Sequence, residues 1–254
     1  SHFTEAADVL QRFLADPASI AAVEQAAAFM SYCLKQGAKV VVNDYFPDRA
    51  AAAVQALRES GLTVCAAPGD ITQADVRQQI VATARAEFGT IDILVHNAGV
   101  PPGMESSLRQ FKDLTDEDFE KQLDLNLHAI TGLTRLVIGD MADRGWGRIV
   151  IVSSESWRIG LKFGLSNYAA AKAAALGFMR QLAHEVGRQG VTVNAVSLGT
   201  MNNFGYDEIA KNTTAVGRAG TPEDVGAAVA WLASNEASWY TGQTMALNGG
   251  SSTI

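Results

Sequence analysis

From Gly37 onward, the hydrophobic positions alternate between short continuous apolar runs and longer segments with helical spacing. The short runs are rich in β-branched residues and predict strands at 39–44, 62–66, 91–96, 148–152, 191–196 and 244–247. The longer segments predict helices at 49–60, 73–88, 115–142, 167–189 and 222–234. Strands without polar alternation are buried on both faces, and their alternation with helices is typical of βαβ units. We therefore expect a single α/β domain over residues 1–254, built on a doubly wound parallel sheet.

Residues 1–36 do not follow this alternation. Apolar residues at helical spacing predict helices at 4–14 and 19–36, and no strand is evident between them. No glycine precedes Gly37. The chain is expected to begin with an atypical helical segment in place of a first strand.

Composition and charge restrict the function classes. The formal net charge is -7 over 254 residues, and no basic run could follow a phosphate backbone, so nucleic acid is not expected as a partner. No apolar run approaches the ~20 residues that span a bilayer, so no membrane partner is expected. The two cysteines have no metal-ligand spacing, and no metal site is predicted. These features favour a soluble, cytoplasmic protein.

A candidate catalytic pair lies in the predicted helix 167–189. Tyr168 and Lys172 are four residues apart, so both side chains project from one helix face. A nearby ammonium favours the phenolate, and Lys172 is expected to lower the pKa of Tyr168 toward values useful for acid/base chemistry. Ser153 and Ser154 follow the strand at 148–152 and are the accompanying hydroxyl candidates.

From about Gly37 to its C-terminus, the chain resembles the short-chain dehydrogenase/reductase family. The resemblance rests on ordered motifs: His96-Asn97-Ala98-Gly99, Asn126 in a helix, Ser154, Tyr168-x-x-x-Lys172 and the segment from Asn194 to Thr200. Ser154 precedes the tyrosine by fourteen residues, where the family more commonly has thirteen. The resemblance implies a Rossmann-like fold and hydride transfer between a nicotinamide and an alcohol/carbonyl pair.

The family also implies a role for each catalytic residue. Tyr168 would donate or accept the proton of the substrate oxygen, and Ser154 would hold that oxygen by a hydrogen bond. Lys172 would tune the tyrosine and hold the nicotinamide ribose. Asn126 would bind a water that connects Lys172 to solvent.

Cofactor selection is assigned to a second set of residues. Asp44 at a strand end can accept hydrogen bonds from the ribose hydroxyls and would repel a 2′-phosphate, which favours NAD over NADP. Asp70 corresponds to an adenine-contacting position, although it could equally cap the next helix. Asn97, Ala98 and Gly99 would let the backbone approach the cofactor closely.

The chain departs from the family at the glycine-rich phosphate loop, because residues 19–26 contain no glycine. Three hypotheses account for this. Residues 12–16 could form the first strand, with Pro17-Ala18-Ser19 as an altered loop. The chain could instead be a subunit without cofactor that supports a catalytic partner of the same fold. Residues between the N-terminal helix and Gly37 could also be missing from the sequence.

The functional prediction is an NAD-dependent oxidoreductase acting on a secondary alcohol or ketone. A cofactor-free lyase or hydratase that uses the Ser154 and Tyr168 pair is a further alternative. Residues 200–217 are expected to form a substrate lid, and Glu155 to be either solvated or directed toward the substrate. The resemblance further implies a homo- or hetero-oligomer that assembles through residues 115–142 and 167–189.

Overall fold

A computed structural model of the chain describes residues 37–100, 109–160, 164–202 and 206–253. The strands are β1 (Val40–Val42), β2 (Val64–Ala66), β3 (Ile93–His96), β4 (Gly147–Ser154), β5 (Val191–Leu198) and β6 (Thr244–Leu247). The helices are α1 (Pro47–Glu59), α2 (Ala74–Phe88), α3 (Asp116–Leu123), α4 (Ala129–Asp143), α5 (Ser166–Val186), α6 (Asp207–Thr213) and α7 (Pro222–Leu232). The predictions made for residues 1–36 lie outside the described residues.

All the strand pairings in the described part of the chain are parallel. β3, β4, β5 and β6 are hydrogen-bonded in that order, with Ser154 opposite Leu198 where β4 and β5 end. β1 pairs with β2 in a second sheet. The parallel α/β class predicted from the apolar runs is confirmed. Parallel pairing also places the carboxyl ends of β3 to β6 along one edge, where ligands bind in sheets of this class.

Helices cover both faces of the central strands. Ile149 and Ile151 of β4 belong to a buried cluster with residues of α4 and α5, including Ile130 and Leu176. Val150, which lies between them, packs in another cluster with the α7 residues Val225, Val229 and Leu232. Alternate residues of a strand point to opposite faces, so a strand covered on both sides needs apolar residues throughout. This explains the uninterrupted apolar run of β4.

The predicted helix 115–142 is interrupted in the structure. It consists of α3, a π-helical turn at Asp124–His128 and α4. A π turn accommodates one additional residue per turn and often occurs at functional sites. Hydrophobic periodicity did not reveal this interruption, because apolar residues continue through it on the same side. Asn126 lies within this turn and is fully buried.

Helix α7 begins as its sequence predicted. Thr221 is the N-cap residue and accepts a hydrogen bond from the Asp224 backbone, while the Asp224 carboxylate accepts one from the Thr221 backbone. This reciprocal arrangement satisfies two backbone donors at the start of the helix. Among the helices of the described ranges, none is long and apolar enough to cross a membrane.

Candidate functional site

The predicted catalytic residues come together at the carboxyl end of β4. Ser154 is the last residue of that strand, and Tyr168 and Lys172 lie in the first two turns of α5, which packs on β4 and β5. The Ser154 and Tyr168 side chains lie close enough for Ser154 to lower the pKa of the tyrosine. The Lys172 ammonium lies 5.6 Å from the centre of the Tyr168 ring. The i to i+4 spacing thus places both ionisable groups beside the serine, as the sequence indicated.

The predicted effect of Lys172 on Tyr168 was wrong for the protein without ligand. Burial raises the pKa of Tyr168, and the neighbouring Ser154 side chain opposes that rise. Burial also lowers the pKa of Lys172 to about 8. The ammonium donates a hydrogen bond of 2.9 Å to the carbonyl oxygen of Val152 in β4. Lys172 is therefore bound to the strand, and Tyr168 keeps its proton at neutral pH.

Asn126 presents an unpaired acceptor at the same place. Its side chain is fully buried, and its Nδ2 donates to Gln122 Oε1 at 3.0 Å. Its Oδ1 has no hydrogen-bond partner in the part of the chain that the structure describes. A buried acceptor without a partner costs free energy, so this oxygen is well suited to a bound water or ligand donor.

Gly99, which follows β3, lies against both Lys172 and Asn126. A Cβ atom at this position would collide with the Lys172 ammonium and would lie 3.2 Å from Asn126 Oδ1. A side chain here would displace the Lys172 ammonium. The sequence assigned Gly99 to close approach of the cofactor, and the structure adds close approach of the lysine.

The other predicted cofactor residues lie at the carboxyl ends of β1, β2 and β3. Asp44 follows β1 and is half-buried, and its Oδ1 accepts a hydrogen bond of 2.8 Å from the Phe46 backbone. Asp70 accepts from the backbone and hydroxyl of Thr72 at 2.9 and 2.8 Å. It closes a turn before α2, whose N-cap residue is Gln73. Asn97 and Ala98 are exposed after β3.

These residues fit the two ends of a dinucleotide. The buried Asn126 oxygen without a partner, the closely packed Gly99 and the exposed backbone of Asn97 and Ala98 suit the nicotinamide ribose end. The half-buried Asp44 carboxylate suits the adenosine ribose. The segment that replaces the glycine-rich loop lies outside the described residues. Within the described ranges, no group of three or more His, Cys, Asp or Glu residues could hold a metal ion.

Neither expectation for Glu155 was correct. Its side chain is buried and accepts hydrogen bonds from Ser197, Asn248, Ser252 and Arg158. Glu155 occupies the position thirteen residues before Tyr168, at the more common serine spacing. The Glu155 carboxylate is directed into the protein interior, whereas Ser154 at spacing fourteen is the neighbour that lowers the pKa of Tyr168.

Sequence reasoning gave no role to two further buried pairs near the site. His96 Nε2 lies 3.0 Å from Thr134 Oγ1, and burial, together with the charge of Lys172, lowers the pKa of His96 to about 3. His96 is therefore neutral. Gln122 bonds to Asn126 one helical turn later. The i to i+4 spacing of Gln122 and Asn126 was a visible signal in the sequence for that pair. The contact between His96 and Thr134 spans 38 positions, and no local pattern in the sequence indicated it.

Comparisons with known proteins point to one family. The family model described as enoyl-(acyl carrier protein) reductase matches residues 18–252. The chain is 36% identical over 197 residues to an acetoacetyl-CoA reductase of Cupriavidus necator, covering 75% of this chain and 78% of that protein. It is 35% identical over 225 residues to human dehydrogenase/reductase SDR family member 4, covering 85% and 79%.

A solved structure supports the fold. The crystal structure of "a putative gluconate dehydrogenase from agrobacterium tumefaciens" aligns with a TM-score of 0.81 and 24% identity, covering 91% of this chain and 92% of that one. At this identity the likeness concerns the fold alone. The family match, the relatives and the shared architecture lead to one assignment: the chain belongs to the short-chain dehydrogenase/reductase family, whose characterised relatives are oxidoreductases.

Proposed function

We propose that this protein is an NAD-dependent oxidoreductase that interconverts a secondary alcohol and a ketone. The observation that carries the proposal is the convergence of Ser154, Tyr168, Lys172 and the unpaired Asn126 oxygen at one edge of the sheet. Each residue alone has an ordinary structural explanation. Together they supply a proton donor, an oxygen-binding hydroxyl, a cation and a water-binding acceptor.

The bound nicotinamide would supply the hydride acceptor or donor. In carbonyl reduction, Tyr168 would give its hydroxyl proton to the substrate oxygen, and Ser154 would donate a hydrogen bond to the same oxygen as charge develops. The raised pKa of Tyr168 keeps that proton in place at neutral pH. Lys172 would hold the ribose with the N–H donors that Val152 does not use, and Asn126 would bind the water that returns a proton.

We propose that Asp44 selects NAD over NADP. A carboxylate at the end of β1 can accept hydrogen bonds from ribose hydroxyls and repels a phosphate on the 2′ position. Subunit assembly through residues 115–142 and 167–189 remains part of the proposal. The relatives named acetoacetyl-CoA reductase act on a ketone, which supports a carbonyl substrate here.

Calorimetric titration with NADH and NADPH tests the proposal before any substrate is known. We expect wild type to bind NADH about tenfold more tightly than NADPH, because Asp44 disfavours the phosphate. Gly99→Ala should weaken NADH binding about tenfold, since the new methyl group displaces Lys172.

Gly139→Ala is the matched control. Gly139 lies within α4, and a Cβ there meets nothing within 4 Å, so NADH binding should be unchanged. Absence of binding heat and of thermal stabilisation by NADH would overturn the proposal and favour the subunit without cofactor. Turnover without added nucleotide would favour the lyase or hydratase.

A further inference from the structure

Glu155 is a buried carboxylate that the proposed reaction does not use. It follows Ser154 directly and opens a 3-10 turn at Glu155–Trp157, with 6% of its surface exposed. Ser154 caps this turn, because its Oγ accepts a hydrogen bond of 3.3 Å from the Ser156 backbone. The orientation of Ser154 therefore depends on where the Glu155 turn is held.

Donors from separate parts of the chain surround the Glu155 carboxylate. Ser197 Oγ of β5 donates to Oε1 at 2.6 Å. Oε2 accepts from Asn248 Nδ2 at 2.8 Å, Ser252 Oγ at 2.9 Å and Arg158 Nη2 at 2.6 Å. Burial raises the pKa of Glu155, but these hydrogen bonds outweigh it and hold the pKa below its usual value. Glu155 is therefore an ionised group with hydrogen-bond donors on both carboxylate oxygens.

Asn248 begins a turn that also contacts the chain after α6. The Val216 backbone donates to the carbonyl oxygen of Gly249 at 3.1 Å. Gly250 has a φ of +76°, and a Cβ there would lie 2.7 Å from the Cβ of Ala215. The turn at 248–252 thus has two sides, with Glu155 on one and the segment 214–216 on the other.

The same turn is held against the end of β5. The Gly199 backbone donates to the Leu247 carbonyl at 3.0 Å, and a Cβ at Gly199 would lie 2.7 Å from the Asn248 Cα. The turn has little room to shift without moving β5, β6 or Glu155. A displacement at Glu155 would therefore reach residues 214–216, which form the end of the proposed substrate lid.

We infer that Glu155 is a positioning residue with two effects. It fixes the position of Ser154, and through the turn at 248–252 it fixes residues 214–216, the C-terminal end of the proposed lid. The part concerning Ser154 rests on the proposed function. The part concerning the lid depends only on the hydrogen bonds and contacts of the described residues. The ionic contact with Arg158 and the donors on β5 and the turn act on a single side chain, so loss of its charge should loosen all of these attachments together.

Limited proteolysis without substrate or cofactor tests the lid directly. Lys211 is an exposed residue of α6 and a site for trypsin. Glu155→Gln keeps the size of the side chain but places an amide among hydrogen-bond donors. We expect cleavage after Lys211, identified by mass spectrometry, to become about tenfold faster.

Arg148→Gln is the matched control, because it removes a buried charge from the opposite end of β4. Both variants are compared at a temperature where they are folded. Cleavage at Lys211 should stay at the wild-type rate in Arg148→Gln. Equal acceleration in both variants would assign the effect to general destabilisation and overturn the inference, as would an unchanged rate in Glu155→Gln.

Ser252→Ala covers the case in which Glu155→Gln does not fold. It removes one partly buried donor to the carboxylate and should accelerate the same cleavage about threefold. For an active enzyme, Glu155→Gln should lower kcat about tenfold, with Arg148→Gln unchanged, because Ser154 is misplaced. If wild type does not bind NADH, the proposed function fails, while the proteolysis still decides the lid part of the inference.

Discussion

The two ends of β4 both bury polar side chains, but they satisfy them to different degrees. At the amino end, Arg148 is 2% exposed and donates to the carbonyl oxygens of Gly147, Gly190 and Ser234 at 2.8, 3.3 and 3.1 Å. Its guanidinium also lies 4.4 Å from the Trp146 ring centre. At the carboxyl end, the Ser153 hydroxyl is buried without a partner in the described part of the chain.

This difference distinguishes a structural role at the amino end of β4 from a binding site at its carboxyl end. A buried charge with several hydrogen bonds joins parts of the fold, as Arg148 joins β4 to the segments before β5 and after α7. Unpaired buried groups, such as Asn126 Oδ1, carry a desolvation cost that a ligand or water can relieve. The carboxyl end contains both kinds, because Glu155, with donors on both oxygens, lies beside buried groups that have no partner among the described residues.

The largest effect is expected from Tyr168→Phe at the carboxyl end. Removal of the hydroxyl eliminates the proton donor, so kcat should fall about 10²- to 10⁴-fold. Steady-state turnover with an identified substrate measures this. Tyr240→Phe, which removes a half-buried hydroxyl between α7 and β6, should retain wild-type kcat. A loss of less than about tenfold in Tyr168→Phe would remove Tyr168 from its proposed role.

Arg148→Gln at the amino end is expected to lower stability without lowering kcat. Shortening this side chain leaves buried carbonyl oxygens without their charged donor, so the free energy of unfolding should fall by about 3 kcal/mol. Urea unfolding measures the change, and kcat of the folded fraction should not move. Arg188→Gln, at an exposed position after α5, is the control and should change stability by less than about 0.5 kcal/mol. A large loss of kcat in Arg148→Gln would contradict the separation of the two ends.

A smaller effect is expected from the titration of Lys172. Its folded pKa of about 8 lies below the ordinary value of 10.5, so between these values the unfolded state binds one more proton. Stability attributable to this lysine therefore rises with pH in that window and is unaffected by pH well below it. Relative to Lys172→Met, wild type should gain about 2 kcal/mol between pH 7 and 9.5.

Urea unfolding of both proteins across this pH range provides the measurement. Using the difference between them removes the opposing contributions of other groups, such as Tyr240, whose pKa burial raises. Lys112→Met removes an exposed lysine and controls for the loss of one positive charge. Parallel curves for wild type and Lys172→Met would show that Lys172 titrates normally.

Much of the fold could be read from local patterns. Each of the six predicted strands has a counterpart in the structure, and α1, α2, α5 and α7 lie close to their predicted bounds. Burial on both faces leaves no polar alternation in a strand, which is why these segments were distinct. The short helix α6 was not predicted, since seven residues rich in polar side chains carry little periodic signal.

The site was only partly predictable for a similar reason. The spacing of Tyr168 and Lys172 on one helix face is a local property, and it correctly placed both beside Ser154. The sequence did not reveal that Lys172 donates to Val152 across 20 positions, or that Glu155 bonds to Asn248 across 93. Such contacts depend on how strands and helices pack, and no local periodicity encodes them.

The sequence by itself determined the α/β class, the parallel strands and the shared helix face of Tyr168 and Lys172, because helix and strand periods are local consequences of backbone geometry. The choice of Ser154 came from the resemblance to the family. Tertiary structure alone decided the charge states. Packing around α5 buries Lys172 and lowers its pKa, while the donors gathered around Glu155 lower the pKa of a carboxyl group that burial would raise. Desolvation and hydrogen bonding depend on neighbours in space, and for Glu155 those neighbours come from β5 and from residues near the end of the described chain.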